Sequence, residues 1–302
     1  MLIAHLSDAH IGPLPPIRFR NLLGKRLTGY LNWRRGRGTV HDMALLGRIM
    51  DHIHSRKPDH IAMTGDIVNI GLPEEFPKAR EFLEQLGPPS SVSFVPGNHD
   101  AYVTGALDPM QRHLAPWMTG DDGVAGFPYV RRRDSVALIG LSSALPTLPF
   151  MATGALGVRQ IEACTALLDE LGREGLCRII MIHHPPHIGG ARARRGLDDA
   201  ARFEAMIARV GAELVLHGHN HMVSLARIRG PQGVVPVLGA PSSSDGHGVA
   251  GHRAGYHWLD IAPRGNQSLI KIETVCHDAE SDTMMPFGSP IEVGGQRDPH
   301  TA

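Results

Sequence analysis

The pentapeptide Pro96-Gly97-Asn98-His99-Asp100 follows the apolar run Val92 to Val95 and sets an amide, an imidazole and a carboxylate in consecutive positions. A short apolar run that ends in Pro and Gly predicts a buried strand leading into a tight turn. Gly97 lets the backbone leave the strand in a conformation that other residues resist, so Asn98 and His99 can be aimed at one point. Four other stretches have the same form: Asp8-Ala9-His10 after Met1 to Leu6, Gly65-Asp66 after His60 to Met63, His183-His184-Pro185 after Ile179 to Ile182, and Gly218-His219-Asn220-His221 after Glu213 to Leu216. Five strands with their carboxyl ends at one edge would gather these groups into one site.

Between these strands the apolar residues recur at helical spacing. Met43, Leu46, Ile49, Met50 and Ile53 predict a helix stopped by Pro58, and Phe76, Phe82, Leu83 and Leu86 a second helix within Pro73 to Leu86. Strand, helix, strand, helix, strand implies a parallel sheet. Tyr129 to Arg133 and Val136 to Leu141 read as neighbouring strands. Gly157 to Leu171 and Asp199 to Val210 read as helices leading into the strands at Ile179 and Glu213. Leu107, Met110, Leu114 and Trp117 suggest a short helix lying over the site. After His221 the strands Val223 to Ile228, Val234 to Leu238, Tyr256 to Ile261 and Leu269 to Val275 follow without helices, which predicts a mostly antiparallel sheet in the second half. From Ser281 onward the composition predicts a mobile tail.

The chain has 302 residues, enough for a substantial core, and thirty basic residues balance thirty acidic ones. Overall charge therefore favours neither nucleic acid nor an acidic partner. The distribution is less even: between Ala9 and His41 seven Lys or Arg occur with no Asp or Glu. Cys164, Cys177 and Cys276 are too few and too widely spaced for a disulfide framework or a thiolate zinc site, and reduced thiols fit a cytoplasmic protein. No signal-peptide pattern and no bilayer-length apolar run is present.

Asp8, His10, Asp66, Asn98, His99, His183, His219 and His221 are the candidate site residues. Carboxylate and imidazole without thiolate suit zinc, iron or manganese. One metal would use three or four of these groups. Seven or eight suffice for two metals that share a carboxylate, and two ions about 3.5 to 4 Å apart are a recurrent device for hydrolysing phosphate esters.

Asp8-x-His10, Gly65-Asp66, Gly97-Asn98-His99-Asp100, His183-x-Pro185 and Gly218-His219-x-His221 resemble, in order and over most of the chain, the motif set of the calcineurin-like metallophosphoesterases. Within that superfamily the chain is similar to the bacterial branch of class III cyclic nucleotide and glycerophosphodiester phosphodiesterases, as is the Ala240-Pro241-Ser242 stretch. The resemblance implies an α/β fold, a two-layer β-sandwich of mixed sheets flanked by helices. With the length, the basic stretch and the polar composition from Ser281, the expected organisation is one domain over residues 1–280, with a basic cap-like insertion at 11–40, and a flexible tail at 281–302.

The resemblance also implies roles. Asp8, His10 and His221 would bind a first metal, Asn98, His183 and His219 a second, and Asp66 would bridge them, with Mn, Fe or Zn as the ions. A bridging hydroxide would attack phosphorus. His99 would stand over the phosphoryl group, and Asp100 would orient its imidazole. The His-x-Pro spacing selects His183 over His184 as the ligand. Leu141-Ser142-Ser143 departs from the Leu-Asp-Ser of related enzymes, at a position that is not a metal ligand.

Among the other histidines, His5, His52, His54, His60, His113, His252, His257 and His277 read as surface or packing residues. His217 reads as a core neighbour, and His187 and His247 lie in loops within reach of a substrate. In the segment 18–37, Leu22, Leu23, Leu27, Tyr30, Leu31 and Trp33 alternate with basic residues. That pattern is open to a solvated cap, a peripheral contact with the inner face of a membrane, or a grip on the substrate; Arg192, Arg194 and Arg195 are open to the same last use. The sequence predicts a cytoplasmic, binuclear metal-dependent hydrolase of a small-molecule phosphodiester, with no nucleic-acid polymer as partner and a homo-oligomer left open. A nucleotide-lipid pyrophosphatase of the UDP-diacylglucosamine type and a non-catalytic scaffold with the same fold are the alternatives.

Overall fold

The computed structural model describes residues 1–22, 24–247, 252–264 and 267–294. Leu23 of the cap, and residues 295–302 of the segment read as a tail, lie outside the described residues. Two mixed sheets face one another. The first has the order β12-β11-β10-β1-β2-β3, built from Thr283–Pro286, Gln267–Asp278, Gly255–Arg264, Leu2–Leu6, His60–Met63 and Val92–Phe94, with β13 (Ile291–Val293) also on β11. Its centre is parallel: Ile3 lies opposite His60, and Ile61 opposite Val92. The second has the order β4-β5-β6-β7-β9-β8, from Tyr129–Arg133, Val136–Gly140, Cys177–Met181, Leu214–His217, Gly233–Gly239 and Ser224–Gly230. Here β5, β6, β7 and β9 are parallel and the two edge strands antiparallel.

Side-chain alternation along the second sheet sets the layers. In β5, Val136 and Leu138 join Ile3, Ala62 and Leu259 in the core between the sheets, while Ala137 and Ile139 meet Leu168 and Phe203 on the outer face. Helices α3 (Met43–Ser55) and α4 (Phe76–Leu86) pack with the first sheet and α6 (Gly157–Arg173) and α7 (Ala200–Val210) with the second, α5 (Leu107–Leu114) lies beside α4, and α1 (Lys25–Asn32) and the single turn α2 (Gly38–Val40) belong to the segment after β1. Asp42 starts α3 by accepting from the N–H groups of Ala44 and Leu45, a cap typically worth ~1 kcal/mol. No helix among the described residues is long and apolar enough to cross a membrane.

Four expectations change. The late strands do not make a sheet of their own: β8 and β9 extend the second sheet, whereas β10 and β11 return to pair with β1. The segment from Ser281 is not a mobile tail as far as residue 294, because β12 and β13 pair with β11. The irregular stretch Ile11 to Thr39 contains α1, held down by the Arg26 guanidinium on the carbonyls of Ile70 and Gly71. Leu114 and Trp117 are buried in the core beside α4 and β3, with the indole N–H on the Gly87 carbonyl, so α5 does not lie over the site.

Candidate metal centre

The loops that follow β1, β2, β3, β6 and β7 converge at one edge of the sandwich. Each delivers the residues that its motif predicts. Ten described non-glycine residues have positive φ, and five of them are Asp8, His10, Asp66, His219 and His221. Left-handed backbone costs a non-glycine residue free energy and persists where the surroundings over-determine it. Tight approach completes the geometry: a methyl group on Gly97 would overlap the Asp66 carboxylate, and one on Gly218 would overlap Ser7 and Asp8.

The side chains form three overlapping clusters, each with ligand atoms within 4.8 Å of one another: Asp8, His10 and His221; His10, Asp66 and His99; Asp66, His183 and His219. Asp66 and His10 are the shared members. Asn98 joins the third cluster through its Oδ1, 2.9 Å from His219 Nδ1. His183 Nδ1 donates to the Thr64 carbonyl at 2.7 Å and His10 Nδ1 to the Val68 carbonyl at 3.2 Å. Each bond turns the Nε2 lone pair inward, the usual support for a metal-ligating imidazole.

These groups fit two cations. His10 Nε2 faces His221 Nε2 at 3.4 Å, and His183 Nε2 faces His219 Nδ1 at 3.3 Å, so nitrogens converge on nitrogens. Asp8 Oδ1 is buried and lies 3.2 Å from His221 Nε2. Although burial raises carboxyl pKa values, His221 holds Asp8 below the ordinary range, and His183, His99 and His10 hold Asp66 well below it. Asp66 in turn lifts His183 to about 9 against burial, a measure of how strongly the cluster draws positive charge. Burial and neighbouring imidazoles keep His219 neutral, the ligating form.

His99 lies at the rim of the clusters. Its Nδ1 donates to the Asn69 carbonyl, and its ring stacks on Tyr102 with centroids 5.3 Å apart. Asp100 does not orient this imidazole. Its carboxylate accepts four backbone N–H groups, from Asp66, Ile67, Val68 and Gly97, and so ties the β2 loop to the β3 loop. The main-chain carbonyl of Asn69 has the orienting part instead.

Supporting residues fall into place around this centre. His184 is fully buried, with Nδ1 2.8 Å from Ser143 Oγ and its ring 4.6 Å from that of His219, so it braces the site rather than facing substrate. At the divergent Ser142, Gln160 pairs with the backbone N–H and carbonyl. Ser242 Oγ donates to the Asp8 carbonyl at 2.7 Å, which gives the Ala240-Pro241-Ser242 stretch its place. His187 lies against His217, and His247 is half exposed beside Asp245; neither joins the clusters. His41 was missed by sequence reasoning: its ring is 4.5 Å from His10 and its Nδ1 2.8 Å from Ser244 Oγ. Only its position at the end of the acid-free insertion could have singled it out.

Comparison with known proteins agrees with this geometry. The family model for calcineurin-like phosphoesterases matches residues 1–223. The chain is 28% identical to a probable cyclic nucleotide phosphodiesterase of Synechococcus over 72% of its length and 78% of that protein's. It is 27% identical to a glycerophosphodiester phosphodiesterase of Enterobacter lignolyticus over 76% of its length and 74% of that protein's. Among solved structures, a dimetal phosphatase from Danio rerio superposes with a TM-score of 0.59 at 11% identity, covering 97% of this chain and 98% of the other. A purple acid phosphatase from yellow lupin gives 0.55 at 12% identity over 97% of this chain and 53% of its own. At these identities the two structures speak to the fold alone.

Proposed function

The chain belongs to the calcineurin-like phosphoesterase family, and from that premise we propose that it is a metal-dependent phosphodiesterase that hydrolyses a small diester of the cyclic nucleotide or glycerophosphodiester type. The observation that carries this reading is the convergence of Asp8, His10, Asp66, Asn98, His183, His219 and His221 on overlapping clusters linked through His10 and Asp66.

Asp8, His10 and His221 would hold one cation and Asn98, His183 and His219 the other, with Asp66 between them. Two such ions supply Lewis acidity that polarises a phosphoryl oxygen and makes water acidic near neutral pH. Between them the protein's own groups orient the reaction. Because the Asn69 carbonyl accepts the Nδ1 proton, His99 presents Nε2 as the edge that carries or releases a proton. From the rim of the clusters that edge can donate to the departing alkoxide, and the same carbonyl stabilises the imidazolium beforehand. Tyr102 fixes the ring plane by stacking on it.

The test is hydrolysis of bis(p-nitrophenyl) phosphate beside p-nitrophenyl phosphate, with protein stripped of metal and then reconstituted with manganese. Manganese-dependent turnover of the diester, with the monoester much slower, is the expected result. Failure on both substrates with metal bound would overturn the reading. Turnover of the monoester alone would replace diester with monoester.

A further inference from the structure

Three loops ring the metal centre, and all three lack acidic residues: 11–40, 141–157 and 183–197 contain no Asp or Glu. They are joined to one another. Lys25 of α1 donates to Thr147 Oγ1, the N–H of Ala152 donates to the Arg194 carbonyl at 2.9 Å, and Asn220, between His219 and His221, donates to the Gly190 carbonyl at 2.8 Å. The rim is therefore one surface that borders the site.

That surface presents large apolar groups to solvent. Phe19 is 92% exposed, Phe150 79%, Leu148 71% and Ile188 66%, with Leu27 and Leu31 beside them on the cap. Phe150 has φ 65°, a conformation that a bulky side chain takes at a cost, and its ring ends outside the core. Exposed arginines stand among these groups, at 18, 20, 34 and 35 on the cap and at 192, 194 and 195 on the far loop.

We propose that this rim docks on an anionic lipid surface, the apolar side chains entering the headgroup layer and the arginines pairing with lipid phosphates, so that the mouth of the metal centre faces the membrane. Charge complementarity selects that occupant. A second copy of the chain in a two-fold contact would set arginine against arginine, with no carboxylate on either face to relieve it. A nucleic acid would use the arginines but leave Leu27, Leu31, Leu148 and Ile188 without apolar partners. Anionic lipid satisfies both kinds of group at once.

The experiment is co-sedimentation of full-length protein with vesicles of phosphatidylcholine alone and of phosphatidylcholine with an equal part of phosphatidylglycerol, together with gel filtration of the free protein. The wild type is expected to pellet with the mixed vesicles and to stay in the supernatant with phosphatidylcholine alone. A variant carrying Phe19→Ser and Phe150→Ser, and another carrying Arg34→Glu and Arg35→Glu, should each bind the mixed vesicles at least about tenfold more weakly. Their unchanged turnover of bis(p-nitrophenyl) phosphate and unchanged melting temperature would show that both fold. Wild-type protein that remains in the supernatant with mixed vesicles overturns the proposal, as does equal pelleting of wild type and both variants. A dimer that the Phe→Ser changes dissociate, without vesicle binding, would assign the rim to a second copy.

Discussion

The imidazole of His99 is held by the main-chain carbonyl of Asn69, not by the carboxylate that follows it in sequence. The carbonyl sets the tautomer, and the proton that matters sits on Nε2. Replacing His99 with Ala should lower kcat by ~10²–10⁴ fold, the range for loss of a general acid, while both metals stay bound. Metal content by emission spectrometry beside steady-state kinetics checks this, and a variant with full activity would sink the assignment.

Asp66 Oδ2 lies 3.2 Å from His183 Nε2 and 3.9 Å from His10 Nε2, so one oxygen touches both halves of the site. Asp66→Asn should strip metal from both halves, whereas His221→Ala should lower occupancy in one. Metal stoichiometry after dialysis separates the two cases. Equal losses in the two variants would contradict a shared carboxylate.

Asp100 predicts a stability phenotype. Burial and the Asp66 charge push its carboxyl up to about 7, while the four backbone N–H groups favour the ionised form. Asn at this position would turn an amide N–H₂ toward donors, at a cost of about 2–4 kcal/mol. Chemical denaturation of the metal-loaded protein should show that loss. A fall in kcat with stability intact would return Asp100 to the imidazole.

Lys25 is 7% exposed, with its Nζ 4.4 Å above the Tyr102 ring, and burial pulls its pKa from 10.5 to about 8. The unfolded chain therefore binds more protons than the folded one between pH 8 and 10.5, and stability attributable to this group rises with pH across that window. Below pH 8 the buried charge carries its full penalty. Lys25→Met should raise stability by ~1 kcal/mol at pH 7, and the gain should shrink towards pH 10. Denaturant midpoints at the two pH values test this, and a gain that grew with pH would refute it.

The candidate ligands were legible because a metal centre built on strand ends writes short, position-specific motifs: Asp8, Asp66, Asn98, His183, His219 and His221 each follow an apolar run by a few residues. The two-sheet architecture was legible for the same reason. What stayed hidden depends on contacts across the fold. Nothing local to His41 says that its ring will meet His10, and adjacency suggested an Asp100–His99 pair that the turn geometry does not make. The pairing of β10 with β1 was equally obscure, since antiparallel strands late in a chain read the same whichever sheet they join.

That last pairing has a consequence for biosynthesis. Leu2 sits opposite Asp260, and the loop carrying Asp8 is stitched to Ser242 and Ser243. During translation the β1–β2–β3 segment would emerge long before the strand that closes its open edge, leaving a bare β-edge beside an incomplete ligand set. The ligand set closes only with His221, its support only with Ser242 and Ser243, and the sheet edge beside them only with β10, so ion capture would come late in folding rather than nucleate it.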